Sequence, residues 1–409
     1  MARLGRISTA AIAVLALSGC AWLTRSSVSG APQLAQADAE SRHPALSGSG
    51  RFVAFDSTAS NLVGDDTNAK TDVFVHDNVS GATERVSVAS NGAQADGWSA
   101  GPSISNDGRY VAFTSDAANL ATDGDAVSDV FVHDRTTGTT ELVSINDDES
   151  PIPTPASQAV ISGDGRSVAF TTTVRRQIID LPPWIPPLPY GPFVRNLDNG
   201  STRLMPLQSL QRLLVPNQYD LSDDGRRIVY TLVNVDGFVS NVVVAETTDG
   251  TVFGTTGTTT IIPDNSNATP VGISGDGTKF VFVVNPSSGA NPTLTVAPVR
   301  TPTEPTLIKQ VPPTSAVFLA ADGSLIGAQI HYGDNDIAVV TPPSLRSLWT
   351  VVSASADGKR PVRSTAAAFS SDLAWVAFTS NDGTLVSDDT NAVDDVFTRS
   401  VANSLTPPT

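Results

Sequence analysis

The chain has 409 residues, with 41 acidic against 25 basic side chains for a formal net charge of −16, and a single cysteine. That charge repels phosphate and excludes nucleic acid as a partner, and one cysteine leaves no internal disulfide, so packing alone must hold the fold. With 40% hydrophobic residues, 31 glycines and 28 prolines, the chain can bury a large core and is rich in turns.

The N-terminus carries Arg3 and Arg6, the apolar run Ala10 to Leu17, and then Ser18-Gly19-Cys20. A charged start, a short apolar stretch and small residues at a cleavage point make a secretory signal, too short to span a bilayer. Leu17-Ser18-Gly19-Cys20 resembles the bacterial lipobox. The resemblance implies that residues 1–19 are a lipoprotein signal, that Cys20 is diacylated, and that 20–26 are a lipidated tether. Two acyl chains suffice for stable anchoring, so the protein is expected on the extracytoplasmic side of the cell membrane. Loss of the signal leaves 23 basic and 41 acidic residues, a net charge of −18.

From residue 46 onward one cassette recurs. Its clearest copy is Ser103-Ile-Ser-Asn-Asp-Gly-Arg-Tyr-Val-Ala-Phe-Thr-Ser115, and variants lie at 46–55, 161–170, 221–230, 273–282, 319–326 and 369–378. The spacing of the turn glycines runs from 46 residues (Gly277 to Gly323) to 60 (Gly165 to Gly225). Asn106-Asp107-Gly108 is a turn, because Asp bonds its own backbone and Gly takes positive φ without steric cost. The alternation on either side of the turn predicts two strands.

Each cassette is followed by two more strands. Asp129-Val-Phe-Val-His-Asp134 alternates, Arg135 to Gly138 turns, and Thr139 to Ser144 is a fourth strand; Asp72 to Asp77 and Thr83 to Ser87 repeat the pattern. Four antiparallel strands in about fifty residues make one propeller blade. Seven copies therefore predict an all-β fold, a seven-bladed β-propeller of four-stranded antiparallel blades over residues 27–400, with 401–409 a tail. The seventh repeat reaches Asp395 to Arg399 but has no fourth strand of its own. A spare strand near Ser27 to Ser29 is expected to fill that place and close the ring, removing exposed edges.

Residues 181–190, Leu-Pro-Pro-Trp-Ile-Pro-Pro-Leu-Pro-Tyr, hold five prolines and read as polyproline II. This is a packed surface flap or a partner-binding element carrying Trp184 and Tyr190. Three acidic loops fit Asp-x-[Asp/Asn]-x-x-x-Asp: Asp66, Asn68 and Asp72; Asp123, Asp125 and Asp129; Asp389, Asn391 and Asp395. Such clustered oxygens are what Ca²⁺ requires, making it the one cofactor to consider, although setting the turn is the commoner work of these residues.

His76 and His133 end equivalent third strands, which marks them as repeat ornaments, and His43 and His331 have no partner at metal spacing. No phosphate-binding Gly-rich loop is present, and no pair among the 41 acids nominates itself for glycoside hydrolysis.

The cassette Ser-x-Asp-Gly-Arg-x-Val-Ala-Phe, followed by Asp-Val-Phe-Val-His-Asp, resembles the WD-like propeller repeat of the TolB-like family across most of residues 40–400. Leu373 in place of Gly and Gly48-Ser49-Gly50 in place of Asp-Gly depart from it. TolB-like proteins are exported, non-enzymatic and grip other envelope proteins. The resemblance therefore implies an exported, non-enzymatic module binding envelope proteins; with the N-terminal anchor, the chain is expected to be a lipid-anchored monomer, with extracellular proteins and glycans as further ligand classes. The competing expectation is a propeller hydrolase or lyase acting on extracellular polysaccharide, which carboxylates and aromatics lining the central channel would support.

Overall fold

In a computed structural model, the structure describes residues 23–30, 34–121, 127–173, 189–206, 215–233, 239–250, 252–255, 267–285, 292–300, 307–310, 314–330, 337–340, 349–351 and 364–401. These form seven four-stranded antiparallel sheets. Blades one to six occupy residues 41–85, 99–142, 156–204, 215–255, 267–310 and 314–351. Blade seven combines 364–400 with Leu23–Arg25, which pairs with Asp395–Ser400 in the register Leu23 to Arg399. The closing strand thus lies just ahead of Ser27 to Ser29, and Ser27 instead caps Asp395 through its Oγ at 2.6 Å. No helix occurs among the described residues.

The second and third strands of blades one and two are buried along almost their whole length, because each blade packs a neighbour on both faces. Val53 and Phe55 face one blade and Ala54 the next, so the alternation separates two apolar faces. Phe55 against Phe74, Phe113 against Phe131 and Phe378 against Phe397 stack at 5.9 to 6.0 Å in blades one, two and seven. Blades four to six, where the repeat is faintest in sequence, keep the same topology with Tyr230 opposite Val243, Phe282 opposite Thr295 and Ala328 opposite Ala338 in these places.

The cassette turn is rigid for a local reason. Ser105 Oγ donates to Asp107 Oδ1 at 2.6 Å and accepts from Tyr110 N at 3.0 Å, while Asp107 Oδ1 accepts from Arg109 N at 2.9 Å. Ser162, Ser222, Ser274 and Ser370 repeat the hydroxyl-to-carboxylate bond at 2.6 to 2.7 Å. Each turn also bonds the next through the main chain: Gly48 N to Asn106 O, Asn106 N to Gly163 O, Asp164 N to Asp223 O, Asp223 N to Gly275 O, Asp276 N to Ala321 O, Ala321 N to Ser371 O, and Ser371 N to Gly48 O, at 2.7 to 3.2 Å. The belt of seven bonds closes on itself.

Gly108 has φ of +74°, and a Cβ there would overlap the Phe52 ring of blade one. Leu373 takes the same left-handed conformation, φ +55°. Its neighbour at the equivalent place is the smaller Leu325, and the two share one apolar cluster, so burial of the leucine side chain offsets the backbone strain. Gly108→Ala should cost about 3 kcal/mol, combining left-handed strain with overpacking. Gly92→Ala, at φ +82° but in open space, should cost about 1 kcal/mol. Urea denaturation of the two variants checks this; equal losses would show that the Phe52 contact does not brace the turn.

Candidate functional site

The first strands of the blades line the axis. A cavity of about 350 Å³ opens among those of blades three to six, with Gln158, Gln218, Tyr219, Asp220 and Phe318 in its wall. Toward the turns lies a smaller space of about 140 Å³, lined by residues of six blades, among them Leu46, Asn106, Asp223 and Phe369. Asp223 is wedged there between Gly163 and Gly275, where any Cβ would overlap its carboxylate, and it is hydrogen-bonded by Asn106. The channel is therefore narrow at the turn end and open at the other.

Asp220 faces both spaces. Its Oδ1 accepts from Leu221 N at 2.9 Å and its Oδ2 from Ile273 N of blade five at 3.0 Å, yet burial pushes its pKa up to about 6. Beside it, the Tyr219 hydroxyl donates to the Gln158 carbonyl. Gln218 Oε1 is buried with no protein partner.

At the open end, each first strand breaks register with the second, as between Arg42 and Ala45. The bulged residues His43, Gly101, Gln158 and Ala366 have φ between +47° and +64° in blades one, two, three and seven. His43 Nδ1 lies 2.8 Å from Asp56 Oδ2, which also accepts from Gly101 N of blade two at 2.9 Å. The carboxylate is buried, its side chain 6% exposed, while the imidazole is 61% exposed. Hydrogen bonding to Asp56 raises the His43 pKa, against partial burial. Trp98, just ahead of the inner strand Ser99–Ile104 of blade two, is one of the few exposed large apolar side chains among the described residues, 39% exposed.

The acidic loops are braced by the protein's own donors. Gln94 Nε2 donates to Asp66 at 2.9 Å and to Asp72 at 3.1 Å, and Asn68 Nδ2 to Asp72 at 2.9 Å. In blade seven Gln36 Nε2 bonds Asp389 at 2.8 Å and Asp395 at 2.9 Å, and Asn391 Nδ2 bonds the Ala37 carbonyl. Buried Arg85 and Arg25 stand beside Asp65 and Asp388, at 3.1 and 2.9 Å. A cation entering either loop would have to displace an amide and face a guanidinium. Asp129 is held by Ser144 Oγ at 2.5 Å; Asp123 and Asp125 lie outside the described residues, as do Cys20, Trp184 and His331. Tyr190 pairs with Thr172 through the main chain in blade three.

His76 and His133 act as structure. Each Nδ1 meets a threonine hydroxyl, Thr83 at 2.8 Å and Thr140 at 2.9 Å. The Thr83 and Thr140 hydroxyls are themselves donors to Val28 O and Val88 O, so the histidines donate from Nδ1. Burial pushes His76 down to about 4 and lowers His133.

Sequence reasoning missed His43 with Asp56, Asp220, Gln218 and Trp98. The signal available was departure from the repeat at axis-facing positions. His43 replaces Gly101, Gln158, Ala316 or Ala366; Asp56 replaces Thr114, Thr171, Thr231 or Thr379; Asp220 replaces Ala45, Ser103, Val160, Gly272 or Ala368. A charge that appears once among seven copies is not required by the repeat, even where, as with Asp220 and Asp56, it bonds the next blade's backbone.

No family model matches the chain, and no curated protein matches it in sequence. Solved structures do share its fold. An oligogalacturonate lyase from Vibrio parahaemolyticus is 12% identical with a TM-score of 0.62, covering 95% of this chain and 98% of its own. An oligogalacturonate lyase in complex with manganese is 15% identical, TM-score 0.59, with 94% of each chain covered. The β-propeller domain of the trilobed protease from Pyrococcus furiosus, described as having an open velcro topology, is 12% identical, TM-score 0.54, covering 91% and 98%.

These similarities support the propeller ring that the TolB-like resemblance implied, and they correct the functional expectation drawn from it. A non-enzymatic binding module was expected from that resemblance; the one Gly-x-Ser-x-Gly match, Gly97 to Gly101, is no nucleophile elbow, since Ser99 is buried at the start of an inner strand and donates to Ser115 Oγ at 2.9 Å. Two of the full-length structural matches are lyases, so the ring gives no ground for excluding chemistry, and a site assembled from separate blades leaves no contiguous motif to find. Manganese finds no counterpart here: among the described residues no three His, Cys, Asp or Glu side chains converge on one point, and His76 and His133 are engaged by threonines.

Because the folded pKa of Asp220 stands above its ordinary 3.8, its neutral form favours folding at low pH, and that stabilisation is lost as pH rises through about 6. Asp220→Asn keeps an acceptor without the charge. It should raise the melting temperature relative to the natural chain above pH 6 and leave it unchanged below pH 4, as followed by thermal denaturation across pH.

Proposed function

We propose that this chain is an exported propeller lyase, anchored outside the membrane through Cys20, that cleaves uronate-containing polysaccharide by β-elimination at the open end of its channel. The observation that carries the reading is the cavity wall itself. The buried, unpartnered Gln218 Oε1 stands beside Tyr219, Asp220 and Phe318 in a space of about 350 Å³. Amide and carboxyl groups suit sugar hydroxyls, aromatic faces suit sugar C–H surfaces, and an orphaned buried acceptor gains from a hydroxyl donor.

Elimination suits this wall better than hydrolysis. A glycosidase needs two carboxyl groups flanking the bond, and Asp220 is the only carboxylate among the described residues lining the larger cavity. Elimination needs one base at the carbon next to the uronate carboxyl and a proton for the leaving oxygen. The lyase activity of the two structural matches supports the same class.

The test is incubation with oligogalacturonate and with neutral glucans. A lyase generates an unsaturated, ultraviolet-absorbing chain end together with a new reducing end, whereas a hydrolase generates the reducing end alone. Unsaturated product from the uronate substrate is expected; reducing ends without it, or no cleavage of either substrate, would overturn the reading. Gln218→Leu should raise KM at least several-fold with kcat little changed. Since a net charge of −16 repels a polyanion at range, kcat/KM should rise between low and moderate salt, which stopped assays at several ionic strengths would show.

A further inference from the structure

We infer that His43 and Asp56, on blade one at the register position that Gln158 and Gln218 hold in the cavity wall, form a proton-transfer dyad, His43 removing the proton from the carbon next to a uronate carboxyl. The inference rests on the lyase reading and names the group that does its chemistry. Three features of the geometry carry it.

The first is placement. His43 lies on the innermost strand of blade one at the register break, where left-handed φ of +49° takes it out of the strand ladder. The imidazole is 61% exposed there.

The second is orientation. Asp56 Oδ2 receives both His43 Nδ1 and Gly101 N, at 2.8 and 2.9 Å. A buried carboxylate held by two donors fixes the imidazole with its proton on Nδ1, leaving Nε2 to accept. A carboxylate, an oriented histidine and a reachable nitrogen make a general base, and Asp56 stabilises the imidazolium that forms.

The third is uniqueness. His76 and His133 recur because they serve the repeat, whereas His43 and Asp56 occur once, in the same blade, and in contact. The same two positions touch in blade three, where Thr171 Oγ1 donates to Gln158 Oε1 at 3.1 Å, but among the described residues the pair is titratable in blade one alone.

The step balances without a co-reactant. His43 Nε2 takes the proton at C5 of the uronate, that C–H electron pair becomes the C4=C5 double bond, and the C4–O bond breaks. In galacturonate the C4 oxygen departs from the face opposite H5, so it takes its proton from solvent water, and the imidazolium returns its own proton to solvent. Asp56 is a positioning residue, since it reaches the substrate only through His43. The charged groups around the ring are Asp56, which raises its pKa, and Arg42, which lowers it. Arg42 is itself paired with Glu40 and Asp394, both at 2.9 Å.

The experiment uses the full mature chain with oligogalacturonate as probe. His43→Gln should lower kcat at least 100-fold while calorimetric binding of the oligomer and the melting temperature stay those of the natural chain. Asp56→Asn should lower kcat and move the acidic limb of the pH–rate profile to lower pH, because the neutral base is then present at lower pH. Nuclear magnetic resonance titration gives a readout apart from turnover: His43 should titrate above 6.5 in the natural chain and lower in Asp56→Asn. Full activity of His43→Gln, or a His43 titration at or below 6.5 in the natural chain, would overturn the dyad and leave the lyase reading standing. A natural chain that cleaves no uronate polymer would overturn both.

Discussion

Seven main-chain hydrogen bonds run from turn to turn around the axis, and the geometry of everything else depends on them. Each requires its cassette turn to present one N–H and one carbonyl toward its neighbours. The Ser-x-Asp-Gly pattern does this by satisfying the turn's remaining groups internally, through Ser Oγ to Asp and two backbone N–H groups to those side chains. A belt that closes on itself tolerates no blade of different pitch. This explains why blades four to six keep the turn after losing most of the other repeat residues, and why Leu373 holds a left-handed backbone where glycine is usual.

The belt also sets the two ends of the channel apart. At the turn end the blades meet closely, and Asp223 and Asn106 narrow the axis. At the other end the first strands diverge and break register, so their residues are released from ladder bonding and become available to a ligand. Four blades share the left-handed bulge, which shows that the architecture supplies the strained position and that only the side chain placed on it is particular to blade one. His43 thus inherits a presented position from the repeat, and Asp56 inherits a buried, oriented one from the threonine it replaces.

The same logic explains the acidic loops. Asp72 and Asp395 are raised by burial against the pull of serine, glutamine and asparagine donors, and the arginines beside the loops compensate the neighbouring Asp65 and Asp388. These carboxylates organise the connection between second and third strands around Gln94 and Gln36, which come from the segment leading into the following cassette. The repeated Ala-Gln-Ala-Asp segment before the first two cassettes therefore has a physical task, which is to tie each blade's entrance to the preceding blade's acidic loop.

The sequence by itself determined the blade count, the strand order within a blade, the turn chemistry and the need for a closing strand. All of these arise from local patterns, and seven repetitions make a local pattern unambiguous. Third strands such as Asp72–Asp77 and Asp129–Asp134 were legible residue for residue, and the closing strand to within a few residues. What only the tertiary structure decided was which single substitutions face the axis together. Asp56 and Gly101 are 45 residues apart and belong to different blades, and Gln158 and Phe318 meet across a cavity although 160 positions separate them in the chain. Strand alternation fixes the face a residue occupies within its own sheet. Only closure of the ring turns seven separate inner strands toward one shared channel, so the candidate site exists as a property of the assembled propeller.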